Sequence, residues 1–336
     1  MADRSTRVTT LGTWESERVT VGQVEAALNG LRRHESRAAV RTSVLTLVAV
    51  VDEQEGADTV LGTVTELGAR HPSRTVVLVV GEAEAESGLD ACASVHLAER
   101  AGTTVCFEDV VLNVRGRARF HLDSIVEPFT LPDLPVVVWL PARLPSLGDP
   151  LLEAADRIVI DSRAVPERPD LLDVIARLAR RLPLTDLSWI RLTPWRNHLA
   201  GLFEGGFYRP FLDQVERVEV SGNYGPRHLV GGWLLTRLQL SPEQITLAPA
   251  DHVSIRIHAV SDGRTGHFTV ARTGADRVIE SSVDIDDGPS VTQTLYIHRQ
   301  WPAQSLGQAL TRMGYDETYR EAVTGAQELR RKVKGE

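Results

Sequence analysis

The stretch that decides the fold of the first half is VLTLVAVVDEQEGADTVLGTVTELGARHPSRTVVLVV, Val44 to Val80. It opens on Val44–Val51, a short apolar run rich in β-branched residues. Such a run, with no polar alternation, is a strand covered on both faces. Over Asp58–Arg70 the period changes, and Val60, Leu61, Val64 and Leu67 fall on one helical face. Thr75–Val80, TVVLVV, is apolar throughout once more. Strand, helix and strand at these distances predict a βαβ unit with parallel strands.

The pattern extends in both directions. Upstream, Val24, Ala27, Leu28 and Leu31 give Val19–Leu31 a helical stripe. Downstream, Ala91–Ala98 and Thr103–Val114 predict an antiparallel pair turning at Arg100-Ala101-Gly102. Gly116–Val126 is expected to be a helix that ends before Pro128, and Pro135–Leu140 and Ile158–Asp161 two more strands. Arg168–Leu182 carries Leu171, Leu172, Ile175, Leu178, Ala179 and Leu182 on one stripe. These alternations predict an α/β domain over 41–184 with a mainly parallel sheet. A helical extension over 1–40 is expected to precede it.

From Asp186 the composition shifts. DLSWIRLTPWRNHLAGLFEGG and VERVEVSGNYGPRHLVGGWLLTRL carry Trp189, Trp195 and Trp233, three of the six tryptophans. Arg191, Arg196, Arg209, Arg227 and Arg237 are interleaved with them. Thr193 reads as a helix N-cap with Pro194 at the first helical position. Trp195, Leu199, Leu202 and Phe203 then share one face, and Gly205-Gly206 ends the helix. Val215–Ser221 is a strand, and Arg227–Leu240 a helix buried on more than one side.

From His252 the period is two. Val253, Ile255, Ile257 and Ala259 alternate with polar residues, and Asp262-Gly263 is a hairpin turn signal. Strands at Phe268 and Val270, Val278–Ile285, and Val291, Leu295 and Ile297 follow, with turns at Gly274 and Asp287-Gly288. Two helices close the chain, Ala303–Met313 and Asp316–Leu329. The region 185–336 therefore reads as an α+β domain built on an antiparallel meander.

Composition narrows the chemistry. The chain has 336 residues and a formal net charge of −8. That charge argues against binding driven by nucleic-acid phosphates. Val76–Gly81 and Val136–Leu140 are far too short to cross a membrane. Met1–Thr10 is polar and charged rather than leader-like, so the expected location is the cytoplasm. Lysine occurs only at Lys332 and Lys334, so a Walker phosphate loop has no lysine to use. After Val80 the chain reads GEAEAESG, whose carboxylates would repel a dinucleotide pyrophosphate. There is no HExxH motif and no paired CxxC. Asp284, Asp286 and Asp287 lack calcium-loop spacing, and Ser221 does not sit in GxSxG. The ten histidines share no ligand spacing, although His258 and His267 fall opposite one another across the predicted hairpin. Cys92 and Cys106, beside apolar strands, read as small buried hydrophobes.

No catalytic, cofactor or metal residue is expected. A dense arginine and aromatic stretch without catalytic groups reads as a docking surface. The candidate partner-binding residues are Arg191, Arg196, Tyr208, Arg209, Tyr224 and Arg227. Trp189, Thr193, Pro194, Trp195 and Trp233 are the candidate structural residues. The competing reading has these arginines capping helices or pairing with Glu204, Asp213 or Glu216.

Four blocks carry a resemblance: LPDLPVVVWLP at Leu131–Pro141, DRIVIDS at Asp156–Ser162, LSWIRLTPWR at Leu187–Arg196 and GGWLLTRL at Gly231–Leu238. Together, and in this order, they resemble the glucose-6-phosphate dehydrogenase assembly protein (OpcA) family. The resemblance implies a non-catalytic factor that binds glucose-6-phosphate dehydrogenase and favours its assembled, active form. The pathway implied is the oxidative pentose phosphate branch. Cyanobacterial members are linked to thiol regulation, for which Cys92 and Cys106 are the one pair this chain offers. The alternative is an enzyme or sensor that holds a sugar phosphate or nucleotide beyond the carboxyl ends of the strands in the α/β half.

Overall fold

The computed structural model describes residues 7–34, 43–68, 70–100, 103–272, 278–286, 288, 290–297, 302–311 and 314–334. The turn residues Ala101, Gly102, Gly274 and Asp287, together with His298 and Met313, lie outside them. The chain forms two compact units. The first takes Met1–Asp161, Leu182–Thr185 and Trp301–Gly314, and the second Ser162–Arg181, Asp186–Gln300 and Tyr315–Glu336. A single cut after residue 184 does not reproduce this partition. The helix within 162–181 belongs with the second half, and the helix within 301–314 with the first.

In chain order the elements begin with β1 (Arg7–Ser16), α1 (Val21–His34), β2 (Leu45–Val51), α2 (Gln54–Leu67) and β3 (Ser73–Val80). Next come β4 (Gly88–Arg100), β5 (Thr103–Arg115), the short helix α3 (Leu122–Val126), β6 (Val136–Leu140) and β7 (Arg157–Ile160). Helix α4 (Leu171–Arg181) precedes β8 (Leu184–Asp186) and the one-turn helix α5 (Leu187–Arg191). Then follow α6 (Thr193–Leu202), β9 (Val215–Gly222), α7 (Tyr224–Arg237) and β10 (Ile245–Pro249). The meander is β11 (Ser254–Ser261), β12 (Arg264–Arg272), β13 (Val278–Ile285) and β14 (Val291–Tyr296), and α8 (Pro302–Thr311) and α9 (Glu317–Lys334) end the chain.

The first unit is α/β. Its eight strands lie in the order β1-β4-β5-β3-β2-β6-β7-β8. Strands β5, β3, β2, β6 and β7 run parallel to one another, while β4 is added antiparallel to β5 and β1 antiparallel to β4. Every residue of β2, β3, β6 and β7 is buried, as continuous apolar runs require. The expected helix over 116–126 is instead a 3-10 segment, Gly116–Phe120, followed by α3. Gly116 has φ 62, and a Cβ there would lie 2.5 Å from the Ala85 carbonyl oxygen, so only glycine lets the chain leave β5 this way.

Strand β1 falls where only a helical extension was expected. Its sequence, RVTTLGTWES, is too polar to announce itself, and β4 supplies the edge that orders it. A relay fixes the register. Asp109 on β5 engages His96 Nε2 on β4, and His96 Nδ1 lies 3.1 Å from the Thr10 hydroxyl on β1. With the Nε2 proton directed at the carboxylate, Nδ1 is left to accept from Thr10. Buried Glu108 is met by Arg32 of α1 and by Arg74 of β3 at 3.4 Å. Arg157, 1% exposed, donates from Nη1 to the Ala309 carbonyl at 2.5 Å and from Nη2 to that of Gly314 at 3.2 Å, tying α8 to the sheet.

The second unit is α+β. Its six strands lie in the order β10-β9-β11-β12-β13-β14, antiparallel except for the β10–β9 pair. Asp262 and Gly263 both have positive φ, 51 and 74, and close the two-residue β11–β12 hairpin that this dipeptide predicts. One face carries Val218, Val220, Ile255, Ile257, Phe268, Val270, Ile279 and Val283, all buried. Helix α6 packs on this face over β12 and β13. Helices α7 and α9 cross so closely that a Cβ on Gly232 would lie 2.1 Å from the Ala322 carbonyl oxygen. One on Gly325 would lie 2.5 Å from the Gly232 carbonyl oxygen.

Candidate docking surface

The LSWIRLTPWR block builds the interior of the second unit. Asp186, 1% exposed, accepts from the backbone N–H of Ser188 at 2.8 Å, and so caps α5, and from that of Ser162 at 3.1 Å. The Tyr319 hydroxyl reaches its other oxygen at 3.4 Å. Burial, then the Asp186 carboxylate, pushes the Tyr319 phenol well above its usual range, so it stays a donor. The Ser188 hydroxyl accepts from the Arg163 N–H at 2.9 Å and from Arg191 Nη2 at 3.2 Å.

Trp189 is 3% exposed and donates its indole N–H to Asp316 at 3.1 Å. Asp316 in turn accepts the Tyr319 N–H at 2.9 Å in the first turn of α9. The Arg196 guanidinium lies 3.5 Å from the centre of the Trp189 ring. Its Nη2 donates to the Trp189 carbonyl at 3.3 Å and to the Thr193 hydroxyl at 3.0 Å. Thr193 is therefore not the N-cap that the sequence suggests. Leu192 holds that position in helical geometry, φ −77 and ψ −9, with no side-chain cap, and α5 runs almost directly into α6. Pro194 sits in the first turn of α6, where its missing N–H costs nothing. Trp195, 8% exposed, donates its indole N–H to the Val253 carbonyl at 3.3 Å, and Trp233 on α7 is half-buried.

A second inward cluster surrounds the start of α7. Arg227 donates from Nη1 to the Gly222 carbonyl at 3.1 Å, lies 5.1 Å from the Tyr224 ring and reaches Glu167 at 3.8 Å. The Tyr224 and His228 rings are 4.2 Å apart. His228 Nδ1 donates to the Tyr224 carbonyl at 2.8 Å, which makes it the protonated nitrogen of the neutral ring. Burial lowers the His228 pKa to about 4.

The remaining candidates come together elsewhere. Phe207 is 54% exposed, and its ring packs edge-on against Tyr208 at 5.2 Å. Tyr208 in turn meets the buried Phe268 at 5.9 Å. The guanidinium of Arg264, the first residue of β12, lies 5.5 Å from the Phe207 ring. Arg209 is exposed and has no ion-pair partner among the described residues. So the structure joins Tyr208 to Phe207 and Arg264, leaves Arg209 exposed next to Tyr208 in the chain, and turns Arg191, Arg196 and Arg227 inward. Phe207 and Arg264 were missed. The only signal was FYRPF after two glycines, with Arg264 brought in by the hairpin.

Other polar groups are less suited to chemistry. His258 and His267 do face each other across the hairpin, with Nδ1 atoms 2.7 Å apart, so one ring donates to the other. Glu219 lies 3.8 Å from His258 Nε2. Cys92 pairs with Val111 and Cys106 with Leu97, five positions apart along the β4–β5 ladder. At the strand rise that is roughly 17 Å, far beyond disulfide reach. Burial and then Asp109 push the Cys92 thiol up, which keeps it protonated. A groove of about 270 Å³ opens among α4, α7 and α9, with Ala176, Ala179 and Val323 among its lining and Arg180 and Arg320 beside them. Among the described residues no group of three or more potential metal ligands comes together, and no helix is long and apolar enough to cross a membrane.

Two family models match this chain in sequence. Residues 64–178 match the glucose-6-phosphate dehydrogenase subunit N-terminal domain, and 182–323 match its C-terminal domain. The chain belongs to the glucose-6-phosphate dehydrogenase assembly protein (OpcA) family. Among curated relatives it is 27% identical over 199 residues to the putative OxPP cycle protein OpcA of Synechocystis sp., covering 56% of this chain and 42% of that protein. It is 26% identical over 208 residues to the protein of the same description from Nostoc punctiforme, covering 58% and 44%. The chain thus spans less than half the length of the curated relatives it matches.

Proposed function

We propose that this chain is a non-catalytic assembly factor that binds glucose-6-phosphate dehydrogenase and favours its active form, within the oxidative pentose phosphate pathway. The observation that carries this reading is the pair of domain matches over 64–178 and 182–323, one after the other in a single chain. A factor of this kind works by binding one state of its target more tightly than another. The shift it produces is limited by that difference in affinity.

The face we assign to the contact is the aromatic and arginine cluster of Phe207, Tyr208, Arg209 and Arg264. Exposed aromatic rings beside arginines are the groups that most often carry binding energy at interfaces. Arg191, Arg196 and Arg227 are assigned to the interior rather than to the contact, because their guanidinium groups already serve it.

The test is direct. The purified chain is mixed with the dehydrogenase from the same organism, and the complex is followed by sedimentation while NADPH formation is measured at limiting substrate. Co-sedimentation with a rise in activity is the expected result. Turnover by the chain alone, proportional to its concentration and surviving repurification, would sink the non-catalytic reading. Absence of any complex at micromolar concentrations of both proteins would sink the assembly reading.

A further inference from the structure

Strand β14 closes one end of the second sheet. It is bonded to β13 on one side, and no described strand lies on the other. Every residue from Thr292 to Tyr296 is exposed, Tyr296 at 78%. The register on β13 sets its two faces. Leu295, Gln293 and Val291 pair with Ile279, Ser281 and Val283, which belong to the packed face. Helix α6 lies over β12 and β13, and Leu295 is left 36% exposed on that same face. Apolar residues thus continue past the cover.

Free edges of natural sheets are guarded by charge, proline, bulges or covering loops, because an open row of N–H and C=O groups pairs with any strand that arrives. The segment VTQTLY has no charged residue and no proline, and its ladder with β13 contains no register shift. An edge built this way is made to be paired.

The sequence of the edge selects its occupant. Val291-Thr292-Gln293-Thr294-Leu295 reads almost the same in both directions. A two-fold axis perpendicular to the sheet keeps the packed faces of both copies on one side. Only registers that match residues of the same face are then allowed. With the axis at Gln293, Val291 meets Leu295, Thr292 meets Thr294 and Gln293 meets Gln293. Apolar faces apolar, hydroxyl faces hydroxyl, and the two amides can bond across the axis. No charge opposes a like charge, which is the usual penalty of self-pairing. We propose that β14 is a self-association edge, through which two copies of this chain pair antiparallel about a two-fold axis at Gln293. The two six-stranded sheets become one continuous sheet across the dimer. One short strand pair buries little area, so the dimer is weak and reversible.

Sedimentation equilibrium on the intact chain tests this with two variants. In T292K/T294K, lysines of the two copies oppose each other at both hydroxyl pairs. In T292K/T294E, each lysine opposes a glutamate of the other copy. The parent should move toward twice the monomer mass as concentration rises. T292K/T294K should stay monomeric, and T292K/T294E should dimerise at least as well as the parent. A second measurement does not depend on those substitutions: Q293C in a C92A/C106A background should give one covalent dimer with a short bis-maleimide. A parent that stays monomeric throughout overturns the proposal, also where the edge takes a strand from another protein. A T292K/T294K dimer, failure of T292K/T294E to restore dimerisation, or no cross-linked dimer also overturns it.

Discussion

Arg196 lies over the Trp189 ring, its guanidinium carbon 3.5 Å from the ring centre, seven residues along a chain that bends between them. A docking arginine would point out. This one caps an indole whose other edge is anchored by Asp316. Arg196→Ala removes the stack and two hydrogen bonds and is expected to cost about 2 kcal/mol, read as a lower urea midpoint at unchanged slope. Arg196→Lys should recover only part of that loss, since an ammonium cannot stack. An unchanged midpoint for Arg196→Ala would return this residue to the surface candidates.

Asp186 is the hinge of the buried network. Asp186→Ala leaves the N–H groups of Ser162 and Ser188 without their acceptor and should destabilise by about 3 kcal/mol. Asp186→Asn keeps one acceptor oxygen and should lose less. Equal losses for the two substitutions, in the same unfolding assay, would show that the charge rather than the acceptor geometry matters.

The Gly232 and Gly325 crossing allows no Cβ. Gly232→Ala must push α7 and α9 apart and is expected to cost more than about 3 kcal/mol, through lost packing rather than helix propensity, which favours alanine. Thermal unfolding decides it. A stabilised Gly232→Ala protein would mean that the helices do not cross at this point.

Acid should weaken the fold in a defined window. His228 has a folded pKa of about 4, below its unfolded value of 6.5, so the unfolded chain takes up the proton first. Above pH 6.5 the residue contributes no pH dependence. Between 6.5 and about 4 stability falls, by up to roughly 3 kcal/mol, and below that the loss levels off. Burial also lowers His258 and His198, which adds in the same direction. His228→Gln should flatten the profile of unfolding free energy against pH. A profile of the same slope would clear His228 of the effect.

The exposed cluster gives the sharpest test of partner binding. Arg209→Glu with Arg264→Glu should weaken the proposed complex with glucose-6-phosphate dehydrogenase at least about tenfold, and make what remains less sensitive to salt. Unfolding midpoints should barely move. If titration of the folded variant gives the parent affinity, the contact surface lies elsewhere.

Much of the fold was legible because the apolar period changes cleanly. Val44–Val80 switches from continuous to helical and back, and Asp262-Gly263 admits hardly any reading but a tight hairpin. Strand β1 was not legible. Thr10 and Thr13 take strand geometry because β1 pairs with β4, where their hydroxyls meet His96 Nδ1 and the Ser94 hydroxyl. The proline at 194 marked a helix start correctly, but the cap belongs to Asp186, one short helix earlier. The direction of each arginine was illegible for a related reason. Whether Arg196 points in or out depends on the bend between α5 and α6, which no residue spacing reveals.

Synthesis on the ribosome runs in one direction, and the division of this chain sets it a problem. Arg157 is made long before Ala309 and Gly314, the carbonyls that receive it. Asp173 likewise waits for Gln327 and Arg330. Domains usually close one after another as they emerge. Here both cores remain unfinished until α8 and α9 have left the exit tunnel. Until then the nascent chain holds two half-built structures, which α8 and α9 complete one after the other.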